Sequence, residues 1–587
     1  MTKLDSSTYN RLLLLVAGLG GLLYGVDVGI IAGAVPYLEA TSGLNAGQLS
    51  IVVAAVLMGT VISTLFAGLL SDRMGRKPVM ILSGVLFAAS IPIIALSHGY
   101  EPLILGRLCQ GISAGLIGVV VPLYLAECLV PEQRGQGTAM FQWLLTIGIV
   151  AAAAVGMYFS LRVDEVAKTE NARLLFAFKD HAWRGIFWVS LPPGVLFVIG
   201  SFWVAESPRW LFRRGRSERA MEALLRSRPP EGARIELEEM ERNRETETAG
   251  GRQARESLLK RKYVIPFLLA CMILALNQTT GINSIIGYNT AILIQSGLSD
   301  VQAHWGYLLF TVMNALATMI GVMLVDRRGR KFLLSVGTAG VVASMLLTAA
   351  LFHTSEKNRV DVPGALQTLA DGQASLRFHF DPAEQQQWVS QAGRGDLAGR
   401  PAALTIIYSY GDFSASTPVV RSNQPEATMV TLDRANCIPA NRVLAFFSNP
   451  FGSLSAARNA PLRIEHALIT PLPGEANGWL VAASLFLFVA FYAMGPGICV
   501  WLALSELMPT RIRSNGMSIA LLINEAIASF LAAIFLPTVG HYGYTLMFLA
   551  FAGFTAVYFV TVTFFLPETK GKTLEEIESY FSASSQA

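Results

Sequence analysis

Twelve stretches of this 587-residue chain are each long and apolar enough to cross a lipid bilayer. A membrane-spanning helix needs about 20 mostly apolar residues. The composition agrees, since 15% of the residues are charged, against about 25% in soluble domains. The chain is therefore predicted to be an all-α membrane protein with twelve transmembrane helices. The stretches are 11–34, 47–70, 78–98, 102–125, 137–160, 185–205, 263–294, 303–325, 332–353, 478–504, 514–537 and 544–566.

Basic residues divide the connections between these stretches into two alternating sets. Because cytoplasmic loops carry the excess of Lys and Arg, both termini are predicted to be cytoplasmic, in a multi-pass protein of the cell membrane. On the other side, 161–184 contains basic residues and 355–477 is very long, but long segments cross regardless of charge. The basic connections are 71–78, 130–136, 206–262, 325–331 and 509–515.

The same composition argues against several other classes of protein. A net charge of +4 over this length gives no sign of a nucleic-acid partner. The five cysteines are scattered, with no Cys-x-x-Cys or Cys/His cluster, so no disulfide framework, metal site or cofactor is expected. The N-terminal apolar run is interpreted as the first span and not as a cleaved signal peptide, since no small-residue cleavage site is followed by a soluble domain.

A repeated pair of motifs divides the chain into two halves. "DRMGRK" begins at Asp72, and "DRRGRK" begins 254 residues later at Asp326. After each copy, a Glu and an Arg follow at a separation of seven residues. Repeated halves are typical of secondary transporters, whose substrate site lies near the midplane between them. The two Glu/Arg pairs are Glu127 with Arg134 and Glu506 with Arg513.

The second half contains an insertion that the first half lacks. The basic motif and the following Glu are 55 residues apart in the first half and 180 in the second, a difference of 125. The polar segment 355–477 accounts for the difference, and "AALTIIYSY" and "ATMVTL" within it are predicted strands. It is predicted to be a small extracytoplasmic domain between helices 9 and 10, with partial disorder as the alternative. The predicted domains are thus a six-helix half 1–205, a cytoplasmic helical linker 206–262, a second half and tail formed by 263–354 and 478–587, and the insert 355–477.

The basic motifs and nearby acids predict ion pairs at the cytoplasmic ends of the helices. Such pairs hold the cytoplasmic side closed while the cavity opens outward, and break when it opens inward. Static bundling of the helices is the alternative. The residues are Asp72, Arg76, Glu127, Arg134, Glu206 and Arg209 in the first half and Asp326, Arg330, Glu506 and Arg513 in the second.

Several motifs, taken in order, resemble the sugar porter family of the major facilitator superfamily. The resemblance covers nearly the whole chain except 355–477. It implies a twelve-helix, two-domain transporter for a monosaccharide or polyol that works by alternating access. The motifs are "GLLSDRMGRK", "GRLCQGISAGL", "PLYLAECLVPEQRG", "ESPRWL", "QTTGIN", "VDRRGRK", "GPGICVW" and "PETKGKTLEEIE".

The resemblance also implies a set of substrate-binding residues. Amide side chains donate and accept hydrogen bonds, as sugar hydroxyls do, and a tryptophan ring offers an apolar surface to a sugar ring. Hydrogen bonding between helices is the alternative role for Gln142, Asn314 and Asn524. The implied residues are Gln142, Asn277, Gln278, Asn283, Asn314, Trp501, Asn524 and Glu525.

Some of these positions depart from the usual pattern of the family. Asn277 replaces the first of two glutamines, and Gly287 replaces the first of two tyrosines. Ile498 and the two residues after it follow the "GPG" motif where prolines are usual, and Glu525 replaces a tryptophan. Three of these changes touch the expected pocket, so the resemblance does not identify the sugar.

Asp27, Arg107 and Glu525 are charges within predicted spans. In the resembled fold spans 1 and 4 lie together, and its proton-coupled members have an Asp and an Arg at the first two positions. Asp27 is therefore predicted to exchange the coupling proton while Arg107 tunes it, because a nearby Arg favours the carboxylate and desolvation favours the acid. A permanent structural pair is the alternative. Glu525 is expected to bind substrate, serve as a second proton site or pair with another residue.

Together these features predict a transporter and not an enzyme. The favoured function is import of a monosaccharide or polyol by proton symport, with lipid, sugar and protons as the partners. A facilitative uniporter is the first alternative, and a sugar sensor acting through 355–477 is the second. Within that insert, His379, Asp381, Glu384 and His466 have no spacing that indicates catalysis.

Overall fold

The computed structural model describes residues 5–129, 131–249, 261–371, 373–397, 399–423, 429–439, 451–508 and 513–570, together with 442, 445 and 449. Within this part of the chain, eleven helices are long and apolar enough to cross a membrane. The prediction of a mostly helical membrane fold is thus confirmed.

The described helices fall on either side of residues 250–260. Those before are α1 (Ser6–Thr41), α2 (Ala46–Met74), α3 (Arg76–Ala95), α4 (Tyr100–Cys128), α5 (Pro131–Ala167), α6 (Ala172–Trp188), α7 (Leu191–Trp203), α8 (Pro208–Arg213), α9 (Ser217–Ser227) and α10 (Pro230–Ala249). Those after are α11 (Arg261–Thr279), α12 (Ile282–Gly287), α13 (Asn289–Gln295), α14 (Asp300–Arg328), α15 (Arg330–Glu356), α16 (Pro363–Ala370), α17 (Pro382–Gln391), α18 (Leu454–Asn459), α19 (Glu475–Met494), α20 (Pro496–Leu507) and α21 (Arg513–Val560). We call α1–α7 the first half and α11–α15 with α19–α21 the second half.

The last apolar helical segment bends in its middle. It covers 50 residues, which at 1.5 Å per residue is more than twice the hydrocarbon thickness of about 30 Å. Gly543 interrupts it with a φ of +87°, a conformation that glycine adopts at little cost. Glu356 accepts hydrogen bonds from the backbone N–H groups of Tyr544 (2.7 Å) and Thr545 (3.1 Å), as an acidic residue does at a helix N-terminus. A new helical direction therefore starts at this point.

The segment 161–184, expected to be a connection, is helical apart from a short turn. α5 continues to Ala167 and α6 starts at Ala172. Leu175, Trp183 and Ile186 are buried along one face of α6, while its other face is exposed. This amphipathic pattern lets the helix extend beyond the apolar run that the sequence prediction used.

The segment between α15 and α19 forms a mixed α/β unit, which we call the insert. Its antiparallel sheet has the order β1-β7-β3-β4, with β5 also pairing with β3, and β2 pairs with β6 in a second sheet. β3 and β6 match the two predicted strands. The insert has its own buried core, which includes Trp388 and Tyr408. The strands are β1 (Val360–Asp361), β2 (Leu376–His379), β3 (Ala402–Tyr410), β4 (Phe413–Ser416), β5 (Val420–Arg421), β6 (Met429–Leu432) and β7 (Arg463–Pro471).

The hydrophobic cores show where the two halves touch. One cluster includes residues from both, such as Ile31 and Val35 from α1 with Ile285 and Tyr307 from the second half, at the end near the insert. At the end with the "GRK" motifs, the first half and the second half have separate clusters. The described halves are thus packed together beside the insert and apart at the opposite end.

Glycines on one face of α1 allow its backbone to contact the backbone of α5 directly. Gly21, Gly25, Gly29 and Gly33 recur every four residues and therefore share one helix face. A methyl group added at Gly25 would overlap the carbonyl oxygen of Leu145. Small residues at this spacing are typical of close helix packing in membranes. These glycines fix the position of α1, the helix that carries Asp27, along α5 and its rotation about its own axis.

We expect Gly25→Ala to lower the stability of the protein by about 1–3 kcal/mol, because the backbone of Leu145 cannot yield as a flexible side chain would. Gly553→Ala is the matched control, since an added methyl group there meets no atom within 4 Å. Thermal unfolding of the two purified variants in detergent measures the difference. Equal midpoints for both would contradict the packing described here.

Candidate functional site

A break in the seventh apolar segment brings buried polar side chains together inside the second half. α11 ends at Thr279 and α12 begins at Ile282, with Gly281 between them at a φ of +81°. The motif "QTTGIN" spans this break. Irregular backbone at membrane depth is found where it is buried in protein or lines a water-filled cavity, so the break is a suitable place for a polar site.

Four predicted residues form one hydrogen-bonded chain, which we call the amide chain. Asn283 Nδ2 donates to Gln278 Oε1 at 2.8 Å, and Gln278 Nε2 donates to Asn524 Oδ1 at 3.1 Å. Asn524 Nδ2 in turn donates to Glu525 Oε1 at 3.3 Å. The chain joins α12, α11 and α21. Its members alternate donors and acceptors, the pattern that sugar hydroxyls match.

Asn277 lies next to this chain and has a free acceptor. Its Nδ2 donates to the hydroxyl of Tyr492 at 3.2 Å. Its buried Oδ1 has no hydrogen-bond partner among the described residues. An orphaned buried acceptor costs free energy unless a ligand or water supplies a donor.

The other predicted binding residues are not joined to the amide chain. Gln142 is exposed on α5 and Asn314 is half-buried on α14. Within the described residues, no hydrogen bond connects either side chain to Gln278 or Asn524. The side chain of Trp501 lies outside the described part of the structure.

The departure at Gly287 and the tyrosine kept at position 288 have structural explanations. Gly287 faces the first half, where an added methyl group would lie 3.3 Å from Val53. Tyr288 is fully buried, stacks on Phe535 with ring centroids 4.7 Å apart, and donates to the carbonyl of Ala532 at 3.2 Å. The glycine therefore allows the halves to approach, while the tyrosine packs within the second half.

Asp27 and Arg107 lie side by side but are not in close contact. Each is 1% exposed, and Arg107 Nη1 lies 3.9 Å from Asp27 Oδ1. Neither carboxylate oxygen of Asp27 has a hydrogen-bond partner among the described residues. The site therefore pairs a buried carboxyl group and a buried guanidinium without binding them tightly.

Other groups hold the guanidinium of Arg107. Its Nη1 donates to Gln110 Oε1 at 2.7 Å, and its Nε donates to the carbonyl of Val52 at 3.4 Å. The guanidinium carbon lies 5.6 Å from the ring centroid of Phe187. Arg107 is thus held in place whatever the protonation state of Asp27.

Tyr24 lies near the carboxyl groups of both halves. It precedes Asp27 by three residues and lies within electrostatic range of both Asp27 and Glu525. The sequence prediction did not include it, although a tyrosine one helical turn before an intramembrane Asp is a visible signal. Asp27, Tyr24 and Glu525 therefore lie in one polar region between the halves, with Asn524 bonded to Glu525.

At the opposite end of the first half, Arg76 is the centre of an ion-pair cluster. It is 2% exposed. Its Nε and Nη2 bond to the two carboxylate oxygens of Glu127 at 2.8 and 2.9 Å, and its Nη1 bonds to Asp72 at 2.9 Å. Glu206 accepts from the backbone N–H groups of Arg76 (2.9 Å) and Lys77 (3.2 Å). These contacts bind α2, α3, α4 and the start of the linker together.

The second half repeats this arrangement with a residue that sequence reasoning missed. Arg330 lies 3.2 Å from Glu506. Glu568 accepts from the backbone N–H groups of Arg330 (3.1 Å) and Lys331 (3.2 Å), as Glu206 does in the first half. Glu568 belongs to "PETKGK", which follows the last span as "ESPRWL" follows the sixth. That shared position is the signal that identifies it.

This geometry explains why each "GRK" motif begins with a glycine. Gly75 has a φ of +105° and Gly329 a φ of +89°. A methyl group at either position would collide with the carboxylate of Glu206 or Glu568. The motif thus builds a helix start on which an acidic side chain can sit.

The remaining predicted gate residues differ in position. Arg209 does not join the cluster around Arg76. It is partly exposed and faces the linker, where its Nη2 lies 3.9 Å from Oε1 of Glu236 on α10. The side chains of Arg134, Asp326 and Arg513 lie outside the described part of the structure. Among the ion pairs of the described residues, none joins the halves at this end.

Hydrogen bonds do join the halves at the end beside the insert. The hydroxyls of Tyr37 and Ser160 both donate to Asp300 Oδ2 at 2.7 Å. Tyr307 donates from α14 to the carbonyl of Gly29 on α1 at 2.9 Å. The central polar region is therefore closed on the insert side.

We expect Arg76→Met to destabilise the protein by about 3–5 kcal/mol, because it leaves the buried carboxylate of Glu127 without its partner. Asp72→Asn is the control, since the Asp72 side chain is 65% exposed and its loss should cost at most about 1 kcal/mol. Denaturant unfolding in detergent compares them. Similar losses in both variants would show that burial does not decide the strength of this cluster.

The fold and its polar midplane region define a membrane transporter built from two helical halves. The chain belongs to the family described as "Sugar (and other) transporter", which matches residues 13–368 and 464–581. It is therefore a sugar porter of the major facilitator superfamily and not an enzyme. Most of the insert lies in the gap between the two matched regions.

Known relatives and structures agree with this placement. The proton myo-inositol cotransporter of Homo sapiens is 27% identical over 574 residues, which are 96% of this chain and 81% of that protein. The galactose-proton symporter of Escherichia coli strain K12 is 31% identical over 340 residues, which are 58% of this chain and 69% of that protein. The structure of the xylose transporter XylE from E. coli in a partially occluded inward-open conformation matches with a TM-score of 0.64 at 20% identity, covering 96% of this chain and 100% of that one.

Proposed function

We propose that this protein imports a monosaccharide or polyol together with a proton across the cell membrane. The observation that carries the coupling is Asp27, a buried carboxyl group with no hydrogen bond beside a guanidinium held by other groups. A buried carboxylate without hydrogen bonds is costly, and protonation removes that cost. Such a group is suited to exchange a proton when its surroundings change.

The architecture proposed for this transporter has twelve spans in two six-helix halves. The bend at Gly543 supplies the twelfth span by dividing the last apolar segment. Residues 1–205 form one half, and 263–354 with 478–587 form the other. The basic connections support a topology with both termini and the linker 206–262 in the cytoplasm and the insert 355–477 outside.

In this orientation the structure corresponds to an inward-facing state. The hydrogen bonds of Asp300 close the outer side, while the cytoplasmic core clusters of the two halves are separate. Opening outward requires Tyr37 and Ser160 to leave Asp300 and the cytoplasmic ends to meet. The ion pairs around Arg76 and Arg330 are formed in this inward-facing state, and each lies within one half. They therefore support the alternative of static bundling, in which each half stays rigid while it moves, over a gate whose pairs break on inward opening.

The amide chain is the proposed sugar site, and Tyr24 is its connection to the proton site. A hydroxylated ligand can exchange hydrogen bonds with Gln278, Asn283 and Asn524 and supply the donor that Asn277 Oδ1 lacks. Glu525 terminates the amide chain and lies within range of Tyr24, so ligand binding there changes the electrostatic surroundings of Asp27. The names of the relatives, a myo-inositol cotransporter and a galactose-proton symporter, support this substrate class.

Uptake by proteoliposomes under an imposed pH gradient tests the proposal against its alternatives. The substrates are labelled myo-inositol, galactose, xylose and glucose, each with and without a protonophore. Symport predicts accumulation of at least one of them above the outside concentration, abolished by the protonophore. Equilibration without accumulation would indicate a uniporter, and binding without uptake would indicate a sensor.

A further inference from the structure

A cavity lies outside the closed outer gate, beneath the insert. Its volume is about 480 Å³, within the range of small-molecule sites. The outer ends of α1, α5, α6 and the start of α14 form its floor and sides, and β5 and β6 of the insert cover it. It is separate from the amide chain, because the hydrogen bonds between Tyr37, Ser160 and Asp300 close the space between them.

An arginine of the insert lines this cavity, and its guanidinium has no hydrogen-bond partner among the described residues. Arg421 is 7% exposed. Its Nη2 is buried and unpaired, and among the described residues no acceptor bonds to any nitrogen of its guanidinium. Burial lowers the pKa of Arg421 to about 10, so the group stays charged at neutral pH. Buried guanidinium groups are normally paired or fully hydrogen-bonded, so this one lacks an acceptor that a ligand can provide.

The charges around Arg421 favour a neutral ligand. Glu39 accepts a bond from the backbone N–H of Val419 at 3.3 Å and is close enough to attract Arg421, but does not contact it. Asp164, Asp300 and Lys179 also line the cavity, and Asp164 is paired with Lys168 at 2.8 Å. An anion would be repelled by the three carboxylates, and a cation by the basic groups Lys179 and Arg421. Hydroxyl groups serve both, because they accept from the guanidinium and donate to the carboxylates.

We propose that this cavity is a second binding site for a neutral polyhydroxylated ligand, a monosaccharide or polyol, held by Arg421 and Glu39. The ligand class rests on the proposed transport function, but the site itself does not. Tyr37 and Asp300 line the cavity and also form the gate bond. A hydroxylated ligand that bonds to either one competes with that bond, so occupancy of the outer site favours opening of the gate.

Binding stoichiometry on the full chain in nanodiscs tests the proposal, with labelled myo-inositol and galactose as probes. We expect two binding events per chain in the wild type. Arg421→Met should weaken one of them at least about tenfold, because charge-assisted hydrogen bonds are among the strongest. Arg377→Met, at an exposed position of the same insert, is the matched control and should keep both. One event in the wild type that Arg421→Met leaves unchanged would overturn the proposal.

Two further variants keep the result interpretable. Ala167→Trp fills the cavity from an exposed position on α5 and should remove the same event without disturbing Arg421. Gln278→Leu should remove the other event and leave the outer one. If Gln278→Leu changes nothing while Arg421→Met removes a site, the outer site stands and the central site is wrong. Displacement of the outer ligand by acetate at constant ionic strength would overturn the assignment of a neutral ligand.

Discussion

Asp27→Asn is expected to abolish accumulation of sugar against its gradient while leaving exchange of sugar across the membrane intact. A gradient of one pH unit is worth about 1.4 kcal/mol, or a tenfold concentration ratio if one proton moves with each sugar. The wild type should approach that ratio in proteoliposomes. The variant should stop at equal concentrations, since an amide has the shape of the acid but cannot release a proton. Because both oxygens of Asp27 lack hydrogen bonds, the substitution removes no hydrogen bond among the described residues, only the charge attraction to Arg107 at 3.9 Å.

Glu101→Gln is the matched control for this experiment. Glu101 is an exposed carboxylate at the start of α4, the helix that also carries Arg107. It should accumulate sugar as the wild type does. Accumulation by Asp27→Asn at the wild-type level would remove Asp27 from the mechanism and favour a permanent structural pair with Arg107.

Gln278→Leu is expected to weaken substrate binding by about 10- to 100-fold. Gln278 is the middle of the amide chain, so its loss leaves Asn283 Nδ2 and Asn524 Oδ1 each without a partner, at about 1–3 kcal/mol for the unsatisfied groups. The measurement is the concentration dependence of counterflow, which needs no proton gradient. An unchanged half-saturation concentration would show that the amide chain only joins helices.

Thr279→Val is the control for that variant. Thr279 is the next residue along α11, but its hydroxyl donates to the carbonyl of Leu276 within the same helix. Its loss should change counterflow little. Equal effects at both positions would mean that substitution of any polar group at this helix end disturbs the site.

The apolar stretches predicted the helical fold because burial in a bilayer leaves a strong signal along a sequence. The boundaries were less accurate where helices run past the membrane, as at 161–184, or change direction inside it. Gly281 and Gly543 mark two such changes, and a glycine within an apolar run does not reveal whether it packs a helix or ends one. The stripe from Gly21 to Gly33 shows the packing role in the same chain.

For the site, the motifs predicted which residues take part but not which of them form hydrogen bonds or how far apart they lie. The amide chain joins residues from separate helices, and only the fold brings Asn524 to Gln278. The distance between Asp27 and Arg107 depends on Gln110 and Val52, which hold the guanidinium away. Tyr24 escaped prediction because it acts through distance and not through a distinctive motif. Glu568 belongs to the motif "PETKGKTLEEIE", but only the fold brings it to the backbone N–H groups of Arg330 and Lys331.

The proton flux that accompanies sugar uptake tests the central claim most directly. Proteoliposomes are suspended in weakly buffered medium with no imposed gradient, and substrate is added outside while pH is recorded. The proposed mechanism predicts that the medium becomes alkaline as labelled sugar enters, with about one proton per sugar, and that Asp27→Asn shows no such change. Entry of sugar into wild-type vesicles without any change in external pH would contradict proton coupling and leave a uniporter.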